Sequence, residues 1–162
     1  VLANRGDVLP VKPGQRVLCI EQIIIPEFVP NNMHHHTRSF SEAMLGQSLN
    51  MVSMDCEFSA TDDEIKLAVS LAEQVDVIVM TNFYWRIYPK NNGPLLAALR
   101  KSGKPVVIVT NNPYPMGADP QADAIVCTFG VTPQSLAAAA EAIYGKLKPT
   151  GRWPLEHYRF GQ

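Results

Sequence analysis

Short apolar runs alternate along this chain with longer stretches in which apolar residues recur every three or four positions. The runs have the length and the β-branched content of strands, at residues 16–20, 50–54, 75–81, 105–110 and 123–129. The third, VDVIVMT, is apolar on nearly every position, as a strand is when helices cover both faces of a parallel sheet. Helices are expected between the runs. Residues 39–49 open with Ser39 and Glu42 at the spacing of a capping box, in which hydroxyl and carboxylate each satisfy a backbone donor of the other. Residues 61–74 repeat that signal with Thr61 and Glu64, then carry an apolar stripe at Ile65, Ala68, Val69 and Ala72. Pro94 suits the first turn of a helix over 94–102 that Gly103 ends. The last helix takes Thr132 as cap and Pro133 in its first turn, runs through QSLAAAAEAIY and stops at Gly145.

This alternation predicts an α/β, three-layer sandwich with a mostly parallel, roughly five- to six-stranded sheet flanked by helices, flavodoxin-like in arrangement. One link departs from the pattern. NNPYPMGADPQA, residues 111–122, holds three prolines and has room for little more than a helical turn. After the last helix, Pro149, Thr150 and Gly151 predict a turn in which Gly151 supplies a positive φ. The aromatic segment 152–158 is then expected to lie back along the domain with Trp153 and Pro154 packed.

Composition narrows the partners. The 162 residues suit one domain, 1–162, with a proper core. The 46% apolar and 18% charged content is that of a globular chain. A net charge of -1 gives no electrostatic attraction to nucleic acid or to an acidic membrane surface, so neither is expected as a partner. No apolar run approaches the roughly 20 residues of a membrane helix. Cys19, Cys56 and Cys127 are too few and too far apart for a disulfide framework or a zinc ribbon, and are expected as buried thiols.

Ligands of open α/β sheets sit outside the carboxyl ends of the strands. Those ends carry Glu21 and Gln22, then Asp55, Cys56 and Glu57, then residues 82–86, then Asn111 and Asn112, then Phe129 and Gly130. A polar and aromatic rim of this kind suits a neutral, hydroxyl-rich ligand, although loops carry asparagines and aromatics without one. Tyr84, Trp85, Arg86, Asn111 and Asn112 are the candidate contacts. The rings of FYWRIY, residues 83–88, can stack on a sugar or pack beneath a partner domain, and the packing role is favoured. Nucleotide chemistry is poorly served. EQIIIPEF follows the first strand where a dinucleotide fold needs Gly-x-Gly-x-x-Gly, and neither a Walker loop nor a nucleophile elbow is present, so no cofactor is expected. His34, His35 and His36 share one loop and cannot all turn onto one ion without strain; they also precede a helix N-terminus, whose dipole disfavours imidazolium. No metal is expected there, and the triplet reads as a solvated loop or a contact with a neighbouring domain. Glycoside hydrolysis needs two carboxyls about 5–10 Å apart. Glu21, Glu27, Asp55 and Glu57 are expected in loops, each on its own a solvated acid.

Taken in order, several short motifs resemble the C-terminal domain of family-three glycoside hydrolases. That family places a strand after Lys-Pro, then Ala-Asp-Ala-Ile, then a helix ending in Phe-Gly, then Asn-Pro-Ser-Gly-Arg-Leu-Pro. Here stand Lys104 and Pro105, then Ala122, Asp123, Ala124 and Ile125, then Tyr144 and Gly145, then KPTGRWP at 148–154. The opening VLANRGDVLPVKPGQRVLCI is similar to the start of that domain. The resemblance implies that the domain follows a (β/α)-barrel bearing the nucleophilic aspartate, which at about 250 residues has no room within this chain. In the β-glucosidase branch the resemblance implies an acid/base glutamate in or near a Glu-Gly-x-Asp-Arg loop after the third strand; TNFYWRIYPKNNG stands there, without an acid. The chain looks closer to the β-N-acetylhexosaminidase branch, whose acid/base is an Asp-His pair on a barrel loop. That branch implies retaining hydrolysis of terminal β-linked N-acetylglucosamine, with the second domain supporting the barrel and bordering the sugar. No catalytic residue carries over to this chain. Two alternatives stand beside this reading. One is a β-glucosidase-type domain that supplies Glu21, Asp55 or Glu57 as acid/base; the other is a free-standing flavodoxin-like binding module. Two-domain members are often exported, which unpaired cysteines do not forbid.

Overall fold

The computed structural model describes residues 1–23, 38–85 and 92–151. Its six-stranded sheet is built from β1 (Ala3–Asn4), β2 (Val17–Gln22), β3 (Met51–Cys56), β4 (Val77–Thr81), β5 (Val106–Thr110) and β6 (Ala124–Cys127). Helices α1 (Ser39–Leu45), α2 (Asp62–Ala72), α3 (Gly93–Arg100) and α4 (Pro133–Ile143) flank it. The spatial order is β1-β6-β5-β4-β2-β3, parallel throughout except for β1 against β6. Without β1, the parallel strands run second, first, third, fourth, fifth in chain order. This is the flavodoxin-like arrangement, with its switch point between β2 and β4.

Side-chain alternation divides the core into two layers. Val17 and Cys19 of β2 face Phe40 and Met44 of α1 and Leu136, Ala140 and Ile143 of α4. Leu18 and Ile20 point the other way, toward Ala68 and Ala72 of α2 and Leu95, Leu96 and Leu99 of α3. Burying a side chain of this size stabilises the fold by about 1.5–3 kcal/mol, which is why both faces of the central strands are apolar. The proline-rich link between β5 and β6 makes one helical turn, Ala118 N–H to Tyr114 O at 2.8 Å, and no helix. Ala118 and Ala122 cover the sheet there instead.

Four expectations need correction. β2 reaches Gln22 and β3 reaches Cys56, so Glu21 and Asp55 are strand residues and not loop acids. The Ser39–Glu42 capping box does not form. Arg38 holds the cap position with φ +67° and no side-chain cap bond, and Ser39 is already helical. No turn forms at 149–151, and Gly151 does not take a positive φ. The helix stop expected at Gly145 does form: Gly145 takes φ +73°, its N–H reaches Ala142 O at 3.2 Å and Lys146 N–H reaches Glu141 O at 2.8 Å, a Schellman closure of α4. Finally, two of the three thiols, Cys19 and Cys56, are buried, whereas Cys127 is half-buried. The segment 152–158, with Trp153 and Pro154, lies outside the described residues.

Candidate functional site at the carboxyl rim

The carboxyl ends of β2 and β4 meet at the switch point, and amides fill the space between them. Gln22, Asn82 and Asn92 are 0%, 2% and 1% exposed. Each has its polar atoms matched, as burial demands. Gln22 N–H donates to Thr81 Oγ1 at 2.7 Å, and its side-chain Nε2 donates to Phe58 O at 2.6 Å. Its Oε1 accepts from Phe83 N–H. Asn82 donates from Nδ2 to Gly117 O at 2.7 Å and accepts Asn92 N–H at 3.3 Å. Asn92 in turn accepts Ala60 N–H at 2.8 Å. The loops after β3, β4 and β5 are therefore joined by side chains. Gly117 lets the last of them approach closely: a Cβ there would lie 2.8 Å from Asn112 O and collide with Thr110 Oγ1.

The predicted contacts divide into groups. Tyr84 and Asn111 come together, because Asn111 Oδ1 accepts Tyr84 N–H at 2.9 Å and its Nδ2 donates to Tyr84 O at 3.1 Å. Trp85 packs its ring 5.8 Å from Phe58 and 6.2 Å from Phe83, centroid to centroid. Asn112 closes a local turn by accepting Tyr114 N–H at 2.8 Å. Arg86, Glu27 and His34, His35 and His36 lie outside the described residues. Among the described residues no group of three His, Cys, Asp or Glu side chains could hold a metal ion, and no helix is long and apolar enough to cross a membrane.

Glu21, next to last in β2, has its carboxylate turned inward and is 1% exposed. It accepts Phe40 N–H at 3.0 Å, Ser41 N–H at 2.8 Å and Ser41 Oγ–H at 2.5 Å. It is thus the cap of α1, taking up donors that no side chain of the helix's own start satisfies. Burial pushes its carboxyl above the ordinary value of 4.5; the bonds from Ser41 and Phe40 pull it down less strongly, and Asp55 adds a further push upward. Asp55 pairs with Arg38 at 2.7 Å beside an open cleft of about 380 Å³ that Ser41, Glu42 and Ser53 also line. Glu57 is exposed, and its N–H donates to Glu64.

Sequence reasoning placed Gln22 and Asn82 on the rim but missed their role, and it missed Asn92. The available signal was a polar residue ending an apolar strand: Gln22 after VLCIE, Thr81 and Asn82 after VIVM, Thr110 after VVIV.

Comparison with known proteins agrees with this architecture. The family model described as the glycosyl hydrolase family 3 C-terminal domain matches residues 1–160. This chain belongs to that family. The domain is 31% identical to the periplasmic β-glucosidase of Salmonella typhimurium, over 57% of this chain and 14% of that enzyme. A family 3 β-N-acetylglucosaminidase from Paenibacillus sp. str. FPU-7 superposes with a TM-score of 0.73 at 17% identity, over 91% of this domain and 28% of that chain. The family 3 β-glucosidase of Bifidobacterium adolescentis gives 0.62 at 18%, over 90% and 25%. The domain thus spans 14% of the curated relative and about a quarter of each of these solved chains.

Proposed function

We propose that this domain is the accessory second domain of a family 3 glycosidase of the β-N-acetylhexosaminidase type. It follows a catalytic barrel, braces it and borders the site that holds terminal β-linked N-acetylglucosamine. The nucleophile and the acid/base both belong to the barrel, and hydrolysis retains the anomeric configuration. The observation that carries this reading is the stretch after β4. Residues 82–93 contain no Asp or Glu where a β-glucosidase of the family is expected to bear its acid/base. Glu21, in the strand β2 that pairs with β4, is committed to capping α1 and is 1% exposed. The rings of Tyr84 and Trp85, with Arg86, are the sugar-edge candidates.

A second reading has its own support. The 31% identical relative is a β-glucosidase, which favours a domain that supplies an acid/base carboxylate. Asp55 and Glu57 are then the accessible candidates. The two readings separate in one assay of the full-length gene product. An aryl β-N-acetylglucosaminide should be turned over with higher kcat/KM than the matching β-glucoside, and Asp55→Ala or Glu57→Ala should leave kcat within about twofold. The domain alone should turn over neither. Preference for the glucoside, with loss of activity in one variant and its rescue by azide, would establish the second reading instead.

A further inference from the structure

The β4 ladder ends at Thr81, so the main-chain groups of Phe83 and Tyr84 lie beyond it, ahead of a single bridge residue at Trp85. Such groups ordinarily turn to water. Here two side chains from other strands take them. Gln22, the last residue of β2, accepts Phe83 N–H. Asn111, just past β5, holds both the N–H and the carbonyl of Tyr84. An amide used in this reciprocal way stands in for one residue of a neighbouring strand and holds both backbone polar groups of Tyr84. The next residue, Trp85, is braced by Phe58 and Phe83. Phe58 itself belongs to the loop whose carbonyl Gln22 also grips. Main chain and ring are thus held by the same small set of groups.

From this geometry we infer that Asn111 and Gln22 are positioning residues for the sugar edge. They set the direction in which Tyr84 and Trp85 leave the sheet and so fix where those rings meet the apolar face of a pyranose. Asn111, expected above as a ligand contact, acts through Tyr84, because its amide donates to and accepts from that backbone. The inference rests on the reading that Tyr84 and Trp85 border the sugar. Contact with a neutral ring at the edge of a site is made equally in the ground state and the transition state. Losing its alignment therefore raises KM and leaves kcat nearly unchanged.

The test uses the full-length enzyme and an aryl β-N-acetylglucosaminide. Asn111→Ala should raise KM about threefold or more with kcat within about twofold, and Trp85→Ala should do the same. Ser102→Ala, which removes only local bonds at the end of α3, should leave KM unchanged. Asn111→Asp keeps the acceptor for Tyr84 N–H and loses the donor to Tyr84 O, so its KM should fall between wild type and Asn111→Ala. It also carries the test if the alanine variant does not fold. A raised KM in Trp85→Ala with wild-type KM in the foldable Asn111 variants, whatever their Tm, overturns the positioning role and leaves the sugar edge intact. Unchanged KM in Trp85→Ala removes the sugar edge itself, and the positioning role with it.

Discussion

Glu21 shows how one residue's chemistry departs from its place in the sequence. A glutamate following an apolar run at a carboxyl rim reads as a solvated loop acid or, in the second reading, as an acid/base. In the fold it is buried and spends its oxygens on the first turn of α1. Burial is the larger influence on its carboxyl and raises the pKa above 4.5. The consequence for stability has a definite sign. A carboxyl whose pKa is higher in the folded than in the unfolded state binds its proton more tightly when folded. Its favourable contribution is complete below the unfolded value and is lost as pH rises through the folded one. Glu21→Gln supplies a neutral reference that does not titrate. Urea unfolding of both proteins from pH 4 to pH 7 should show wild type losing stability relative to the variant as pH climbs from about 4.5, then a plateau. The opposite slope would mean that the donors of α1 favour the carboxylate more than burial opposes it.

The helix starts show what was legible at the scale of one element. Thr61 and Glu64 were readable because every group in their capping box lies within four residues. Thr61 Oγ1 accepts Glu64 N–H at 3.3 Å, and Glu64 returns the bond to Thr61 N–H at 2.7 Å. Thr61→Ala should lower stability by about 1 kcal/mol in urea unfolding, the usual worth of a threonine cap. A loss under about 0.3 kcal/mol would show that water replaces the bond without cost. Ser39 and Glu42 present the same spacing, yet their helix is capped from β2 by a residue 20 positions away from Ser41. Spacing alone cannot reveal a non-local donor or acceptor. The same limit hid the pairing of Asn111 with Tyr84 across 27 positions. The five parallel strands were legible to within two residues, most clearly those buried on both sides, where little choice of residue type remains; the two-residue β1 was not read. The tail turn failed for a different reason. Pro149 and Gly151 carry a turn signal, but such residues permit a turn without requiring one, and Gly151 does not take the positive φ open to it.

At the scale of the whole molecule, the three cysteines sample distinct depths of the structure. Cys19 lies in the centre of the sheet on the α1–α4 side, and Cys56 ends β3 on the α2–α3 side. They are 0% and 1% exposed. Cys127, at the end of β6, is half-buried and borders a groove formed with α4. Burial is the leading cause that raises all three thiols, Cys19 and Cys56 most strongly. For Cys56 the rise from 9.0 to about 12 cuts the reactive thiolate at neutral pH about a thousandfold. An aromatic disulfide reagent therefore needs two things from Cys19 and Cys56: a proton to leave, and a sheet that has opened. For Cys19 neither is met by local fraying, since β2 is paired on both sides, with β3 and β4; Cys56 ends the edge strand β3 but is buried among the side chains of the α2–α3 layer. Native protein should release about one equivalent of thiolate chromophore, from Cys127, on the timescale of a half-buried thiol. The remaining two should follow only at the rate of global unfolding, accelerating together as urea is added and reaching three equivalents when the chain is unfolded. Substituting Cys127→Ser should abolish the early phase and leave the slow one. Three rapid equivalents in the absence of denaturant would mean that the layers on both sides of the sheet open far below the free energy of unfolding, and that the two cores do not melt as one.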